Sequence, residues 1–303
     1  PLTVGTRRLA PPARWLCSSS SSLPPPSPMP AVFGAGLAGG AFGGLVGLGG
    51  GVIMIPLMTG FARFSQHQAT GTSSAAVAGT GAAGCLSYGT AGAVDLPAAG
   101  AIAVTALLTA RLGAKATSLF NAAQMSRAFA VFQMVVSPMV PLKGLLVRQQ
   151  KQGDAGGAEV DPVAAAETAT APAAPTPSSR NAELLKLMGV GLVAGFASGM
   201  FGIGGGVVIT PALCLLTEMP FACVLGTTLA AMVPPSLVAM GTHHQLGNVV
   251  VSAVAPLVAG SALGSFASGQ VAVRVPEEPL QWSFAVVIFA QGALKLWTLR
   301  GKV

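Results

Sequence analysis

The chain has 303 residues, of which 52% are hydrophobic and 8% charged, with a formal net charge of +7. A soluble domain carries about 25% charged residues, so a water-solvated globule is excluded and a chain whose solvent is mostly lipid is expected. The basic excess does not point to nucleic acid, because the Lys and Arg residues flank apolar runs and form no basic face with interleaved aromatics.

Residues 1–30 hold Arg7, Arg8, Arg14, a serine run from Ser18 to Ser22, and no acid. They lack the apolar core of a secretory signal. Arg and Ser without acid resemble an organelle transit peptide, and a disordered tail fits equally well. The membrane in question is therefore a plasma membrane or an organelle membrane. From residue 31 onward, charge-free runs such as Ala31–Ala62 and Phe64–Val94 are long enough to cross a bilayer, which takes about 20 apolar residues. They predict helices near 31–62, 68–90, 97–112 and 127–146. A stretch rich in Ala, Pro, Thr and Gly follows at 147–185 and reads as a disordered linker. Beyond it, helices are predicted near 186–217, 221–243, 249–272 and 280–299. The expected architecture is all-α: a polytopic membrane protein of about eight transmembrane helices, in a four-helix repeat over 31–146 and a second over 186–303.

The first span of each half is peculiar. As one rod of roughly 30 residues it would measure about 45 Å, against about 30 Å of hydrocarbon. Each carries three consecutive glycines and, five residues after the last of them, a proline. Such a segment is expected to be a broken helix or a re-entrant hairpin.

The two halves repeat in one register, 155 residues apart (Gly49 to Gly204). Gly49-Gly50-Gly51-Val52 falls on Gly204-Gly205-Gly206-Val207, Pro56 on Pro211, Gly71-Thr72 on Gly226-Thr227, and Ala75-Ala76 on Ala230-Ala231. No gap is needed from Gly36 to Val94. Internal repeats of this kind characterise secondary transporters, which place the substrate site at the repeat interface on discontinuous helices, so that one unit rocks against the other. Four crossings per half would make the repeats parallel. A re-entrant first segment would make the number odd and the repeats inverted.

The pattern GLAGGAFGGLVGLGGGVIMIPL, then ATGTSSAA, then Gly84, Tyr88, Gly92, Val94 and Asp95, resembles the sulfite exporter TauE/SafE family. GLVAGFASGMFGIGGGVVITPAL and LGTTLAA repeat it in the second half. The resemblance covers residues 34–146 and 186–299. It implies a multi-pass permease for small anions, with sulfite, sulfonates and related sulfur oxyanions as the substrate class. The copies depart from each other where His243 stands for Tyr88 and Val250 for Asp95.

Candidate substrate-binding residues follow. The triplets Gly49, Gly50, Gly51 and Gly204, Gly205, Gly206 can expose backbone amides to an anion if each break opens a helix N-terminus; close packing through small residues is the competing reading. Gly36, Gly40 and Gly44 have the four-residue spacing of a packing seam. The hydroxyls of Thr72, Ser73, Thr227 and Thr228 follow a glycine in each copy and are candidate oxyanion ligands, or bond back to their own helix. Arg111 is the best-placed cation to balance an anion, with snorkelling at a helix end as its alternative, as for Lys115 and Arg127. His243 is a candidate proton relay or a structural hydrogen-bonding residue, and Asp95, beside Pro97, reads as a helix start.

Enzyme chemistry finds no support: HExxH, GxSxG and P-loop strings are absent. The four cysteines form no CxxC pair and read as small buried residues, so no metal or other cofactor is expected. The expected partners are a small anion, the lipid bilayer, and a coupling proton or ion of the kind such a transporter admits. The competing function is a membrane scaffold or assembly subunit that moves nothing.

Overall fold

The computed structural model describes residues 29–137, 177–275 and 277–300. The N-terminal tail read at 1–30, all but its last two residues, lies outside them, as does most of the linker. Ten α-helices run through the described residues, with no strand among them: α1 (Met29–Val46), α2 (Gly51–Gly60), α3 (Gln66–Thr90), α4 (Leu96–Ala116), α5 (Ala122–Val136), α6 (Pro177–Phe201), α7 (Gly206–Leu216), α8 (Phe221–Gln245), α9 (Val251–Ala272) and α10 (Glu277–Arg300). Helix α6 begins inside the segment read as linker, with Pro177 in its first turn, where a missing N–H and a fixed φ cost nothing.

Capping residues set several of the starts. Ser65 and Gln68 form a capping box at α3, and Asn121 and Gln124 form another at α5. Asp95 accepts from the Ala98 amide to begin α4, as its place beside Pro97 predicts. Five segments are long and apolar enough to cross a membrane: Met29–Val46, Leu96–Leu119, Leu184–Phe201, Phe221–Gln245 and Val251–Ala272. Helix α3 has the length, at 25 residues, but is rich in Ser, Thr and Gly. It lies buried among its neighbours, where protein rather than lipid surrounds those hydroxyls.

The 155-residue register survives as geometry. Val46 and Phe201 end α1 and α6, Gly51 and Gly206 begin α2 and α7, and both ends of α3 correspond to both ends of α8. Among the described residues each copy contains five helices where four were expected, because the glycine triplet splits the first span. The segment is a hairpin and not a kinked rod. Met54 of α2 lies over Gly39 of α1, Gly50 lies beside Gly39, and residues 57–62 return to residues 31–35 at the start of α1.

The copies are inverted relative to each other. Helices α3 and α8 cross antiparallel: Tyr88 at the end of α3 meets Gly226 near the start of α8, and Gly71 near the start of α3 meets His243 near the end of α8. Helix α1 runs parallel to α9, with Gly36, Gly40 and Gly44 against Leu257, Ser261 and Ser265. Helix α6 runs parallel to α4 in the same way, with Gly191, Gly195 and Gly199 against Ile102, Ala106 and Ala110. These glycines bring backbone against backbone, the packing mode of helices in lipid, where apolar burial offers no driving force between them. The outcome is two mixed bundles, α1–α2–α3–α9 and α6–α7–α8–α4, each built from both copies and meeting where α3 crosses α8.

Ala91 and Leu246 are equivalent exposed residues just beyond α3 and α8. In a cysteine-free background, Ala91→Cys and Leu246→Cys should react with an impermeant maleimide from opposite faces of a sealed vesicle. Labelling of both from the same face would refute the inversion.

Candidate functional site

A right-handed helix cannot pass through the glycine segments. Gly47, Gly49 and Gly50 have φ of +72°, +74° and +72°, and their counterparts Gly202, Gly204 and Gly205 have +68°, +81° and +75°. An L side chain there is strained by contact of Cβ with the backbone, so glycine is required. Gly50 and Gly205 are the N-caps of α2 and α7, and no side chain caps either helix. The Ile53 and Val208 amides bond the N-cap carbonyls of Gly50 and Gly205 at 3.0 and 2.9 Å, and the N-terminus of each helix carries the positive end of its dipole.

Both hairpin tips converge on one place. A Cβ added at Gly51 would stand 2.8 Å from the Gly202 carbonyl oxygen and 2.8 Å from Ile203 Cα; one at Gly206 would stand 2.7 Å from the Gly47 oxygen and 3.0 Å from Leu48 Cα. Gly49 and Gly204 each abut Val77 of α3 and Met232 of α8, at the crossing of the two bundles. All six candidate glycines are therefore assembled at the interface between the copies, in a fully buried setting.

The hydroxyls divide by role. Thr72 Oγ1 accepts from the Val250 amide at 3.1 Å, and Thr227 Oγ1 accepts from the Asp95 amide at 2.9 Å. These equivalent bonds tie the start of α9 to α3 and the start of α4 to α8. Ser73 Oγ donates to the Thr70 carbonyl at 3.0 Å and the Gly202 carbonyl at 2.9 Å, so it touches the second tip directly. Thr228 Oγ1 lies 3.4 Å from Thr210 Oγ1, which itself reaches the Gly47 carbonyl at 3.3 Å. Arg111 is not brought to the tips. It stands on the exposed side of α4, while Ala110 and Gly113 face α6. Lys115 and Arg127 are exposed as well.

Tyr88 and His243 occupy equivalent places and do equivalent work. Tyr88 donates its hydroxyl to the Gly44 carbonyl at 2.8 Å, and His243 Nε2 lies 2.8 Å from the Gly199 carbonyl. Each holds the last turn of a helix just before its break. Residues that motif reasoning passed over also border the tips: Thr70, Ser198, Thr210 and Ser236. Their signal in the sequence is disagreement between the copies, since the same positions in the other half are Leu225, Gly43, Ile55 and Gly81. A cavity of about 200 Å³ lies elsewhere, at the open end of the α1–α2 hairpin among Ala31, Val32, Leu57, Met58 and Phe61. Its apolar lining offers nothing to an ion. No group of His, Cys, Asp and Glu suited to a metal ion occurs among the described residues.

Multiple apolar helical spans around two broken hairpins define a polytopic membrane protein of the transporter class. The chain belongs to the sulfite exporter TauE/SafE family, whose model matches residues 2–140 and 32–294. A probable membrane transporter protein of Haemophilus influenzae is 37% identical over 106 residues, 33% of this chain and 40% of that protein. One from Xylella fastidiosa is 27% identical over 267 residues, 86% of this chain and 92% of the relative. The probable membrane transporter protein YunE of Bacillus subtilis is 24% identical over 245 residues, covering 76% and 83%. No solved structure matches the chain.

Replacing Thr72 or Thr227 by Val should leave a half-buried amide without its acceptor, at a cost of about 1 kcal/mol. Thermal unfolding in detergent should show a lowered midpoint for both variants. Unchanged midpoints in both would mean that these hydroxyls do not hold the fold.

Proposed function

We propose that this protein is a secondary transporter of a small anion, with sulfite, related sulfur oxyanions and small sulfonates as its substrate class. The observation that carries the proposal is the meeting of two uncapped half-helix N-termini at the interface of inverted repeats. Backbone amides and helix dipoles favour negative charge at that point without any cationic side chain. Broken helices at a repeat interface are where inverted-repeat transporters hold anionic groups. The family description supports the sulfur oxyanion class, and the relatives' descriptions support transport.

The exposed position of Arg111 removes the side-chain countercharge from this reading and leaves the backbone as the anion's main partner. Any anion there must shed much of its water, which favours small ions with several oxygens able to accept short hydrogen bonds from amides and hydroxyls.

The test is flux in proteoliposomes, in both directions, for sulfite, sulfate, thiosulfate and methanesulfonate. At least one should move saturably. Gly51→Ala and Gly206→Ala each push a methyl group against the facing tip and should cut that flux at least about tenfold in protein that still purifies as a homogeneous species. Full flux in both variants would remove the tips from the pathway. No flux of any of the four anions by the unaltered protein would favour the scaffold reading.

A further inference from the structure

The two tips share a backbone but not a chemistry. Among the described residues, buried side-chain atoms with no hydrogen-bond partner include Thr70 Oγ1, Ser198 Oγ, Ser236 Oγ and His243 Nδ1. All four belong to residues around the second tip. The Thr70 carbonyl abuts Gly202, the Ser198 backbone carbonyl accepts from the Gly202 amide at 2.9 Å, and Ser236 Oγ is 3.5 Å from the position a Gly204 side chain would take. His243 is bonded to Gly199 one turn before the break. Each of these residues is at most 1% exposed.

Around the first tip the equivalent positions are Leu225, Gly43, Gly81 and Tyr88, three without a polar side-chain atom and one whose hydroxyl is satisfied by Gly44. Polar side chains are not lacking in that bundle. Ser261 and Ser265 donate to the Ala76 and Thr80 carbonyls, and Ser268 to the Ser265 carbonyl, so each is matched. Other unmatched amide atoms belong to Gln66 of α3, Gln133 of α5 and Gln291 of α10, but of the two tips only the second is bordered by such groups. A buried hydroxyl without a partner costs about 1–3 kcal/mol, and such groups in a native protein call for a ligand, an ion or water.

The chemistry of His243 says what that ligand brings. A carbonyl oxygen only accepts, so the bond to Gly199 fixes the proton on Nε2 and leaves Nδ1 as a bare acceptor in the neutral ring. A second proton would make Nδ1 a charged donor. Among titratable groups on the surrounding helices, His67 of α3 is of the same charge type as His243 and supplies no counterion. Arg111 and Lys115 of α4, Lys186 of α6 and His244 of α8 are exposed, Asp95 caps the far end of α4, and α7 contributes only Cys214. Among the described residues, no carboxylate on these helices stands beside the ring to hold the proton permanently, so a bound anion would be its counterion.

We infer that the second glycine tip is the anion site and that His243 takes up one proton together with the anion, coupling transport to a proton gradient. This rests on the transport reading above. Thr70, Ser198 and Ser236 supply hydroxyl donors, the α7 N-terminus supplies amides, and the protonated ring supplies charge. Proton and anion then raise each other's affinity by the same factor. The first tip acts as a structural counterpart.

The experiment uses the full chain in liposomes with an internal pH dye and two probes that stay fully ionised over the assay range, thiosulfate and methanesulfonate. In the unaltered protein, an inward proton gradient should accelerate uptake of the carried probe several-fold, with internal acidification. His243→Gln keeps a donor for Gly199 but cannot titrate. It should lose both the acceleration and the acidification, with uptake down the anion gradient slowed and independent of pH. Ser198→Ala, which removes one donor at no steric cost, should raise KM about three- to tenfold with proton movement per anion intact. Gly43→Ser, at the equivalent place of the first tip, should not substitute for it when combined with Ser198→Ala. Proton-driven uptake that persists at full strength in His243→Gln would overturn the inference, as would an unchanged KM in Ser198→Ala. Should His243→Gln fail to purify as folded protein, the Ser198→Ala result and the pH dependence of probe-induced thermal stabilisation in the unaltered protein decide it; a stabilisation that does not grow as pH falls refutes proton uptake with the anion. Failure of the unaltered protein to move either probe, or any anion of the earlier panel, would instead defeat the transport reading itself.

Discussion

The fold depends on a backbone conformation that only glycine adopts at low cost. Gly49 and Gly50, with Gly204 and Gly205, turn the chain through the left-handed region, and so end one helix and begin another within a few residues. Without that turn, each first segment would continue as a rod too long for the hydrocarbon. With it, the segment returns to the side from which it came. A segment that returns adds no crossing to its copy, which accords with the antiparallel run of α3 against α8. The same return brings the two N-termini together between the copies.

The same geometry decides which parts hold together. The sequence repeats are not the rigid units. Helix α1 of the first copy lies along α9 of the second, and α6 of the second along α4 of the first. The bonds from Tyr88 to Gly44, Thr72 to Val250 and Ser261 to Ala76 all lie inside one bundle. Those joining His243 to Gly199, Thr227 to Asp95 and Thr109 to Leu192 lie inside the other. Between bundles the side-chain bonds are few, with Ser73 reaching the Gly202 carbonyl and Thr210 the Gly47 carbonyl, both at the tips. Rocking of one copy against the other would tear apart the close glycine seams. Movement of one mixed bundle against the other need break only bonds that border the proposed site.

Much of this was legible in the sequence because membrane helices leave coarse marks. Charge-free runs placed the spans, the 155-residue register matched nearly every helix end, and Asp95 beside Pro97 marked the start of α4. The number of helices per copy was not legible, since Gly-Gly-Gly and a following proline are compatible with a kinked rod and with a hairpin alike. Contacts across the turn, such as that of Met54 with Gly39, separate the two. Arg111 misled for a related reason: a cation near the end of a span reads the same whether it faces the interior or the surroundings. Thr72 and Thr227 lie beside glycines of the motif, yet their hydroxyls serve amides of neighbouring helices. Thr70, Ser198 and Thr210 fall inside the family strings but at places where the two copies differ, and Ser236 lies outside those strings.

Those residues become visible when the repeat is used in the opposite sense, by asking where the copies disagree. A shared backbone demands shared glycines and shared helix ends, so agreement between the halves reports on folding. Disagreement at buried positions has no such cause. Thr70 against Leu225, Ser198 against Gly43 and Ser236 against Gly81 place three unmatched hydroxyls at one tip where the other has none. At about 1–3 kcal/mol each, their combined burden is large beside the 5–15 kcal/mol by which a typical protein is stable. Leucine, glycine and tyrosine fill the same backbone positions at the first tip without that burden, so nothing in the fold requires the polar set. On the proposal made above, the second tip uses those hydroxyls to donate hydrogen bonds to an anion, and the disagreement between the copies is what sets it apart from the first.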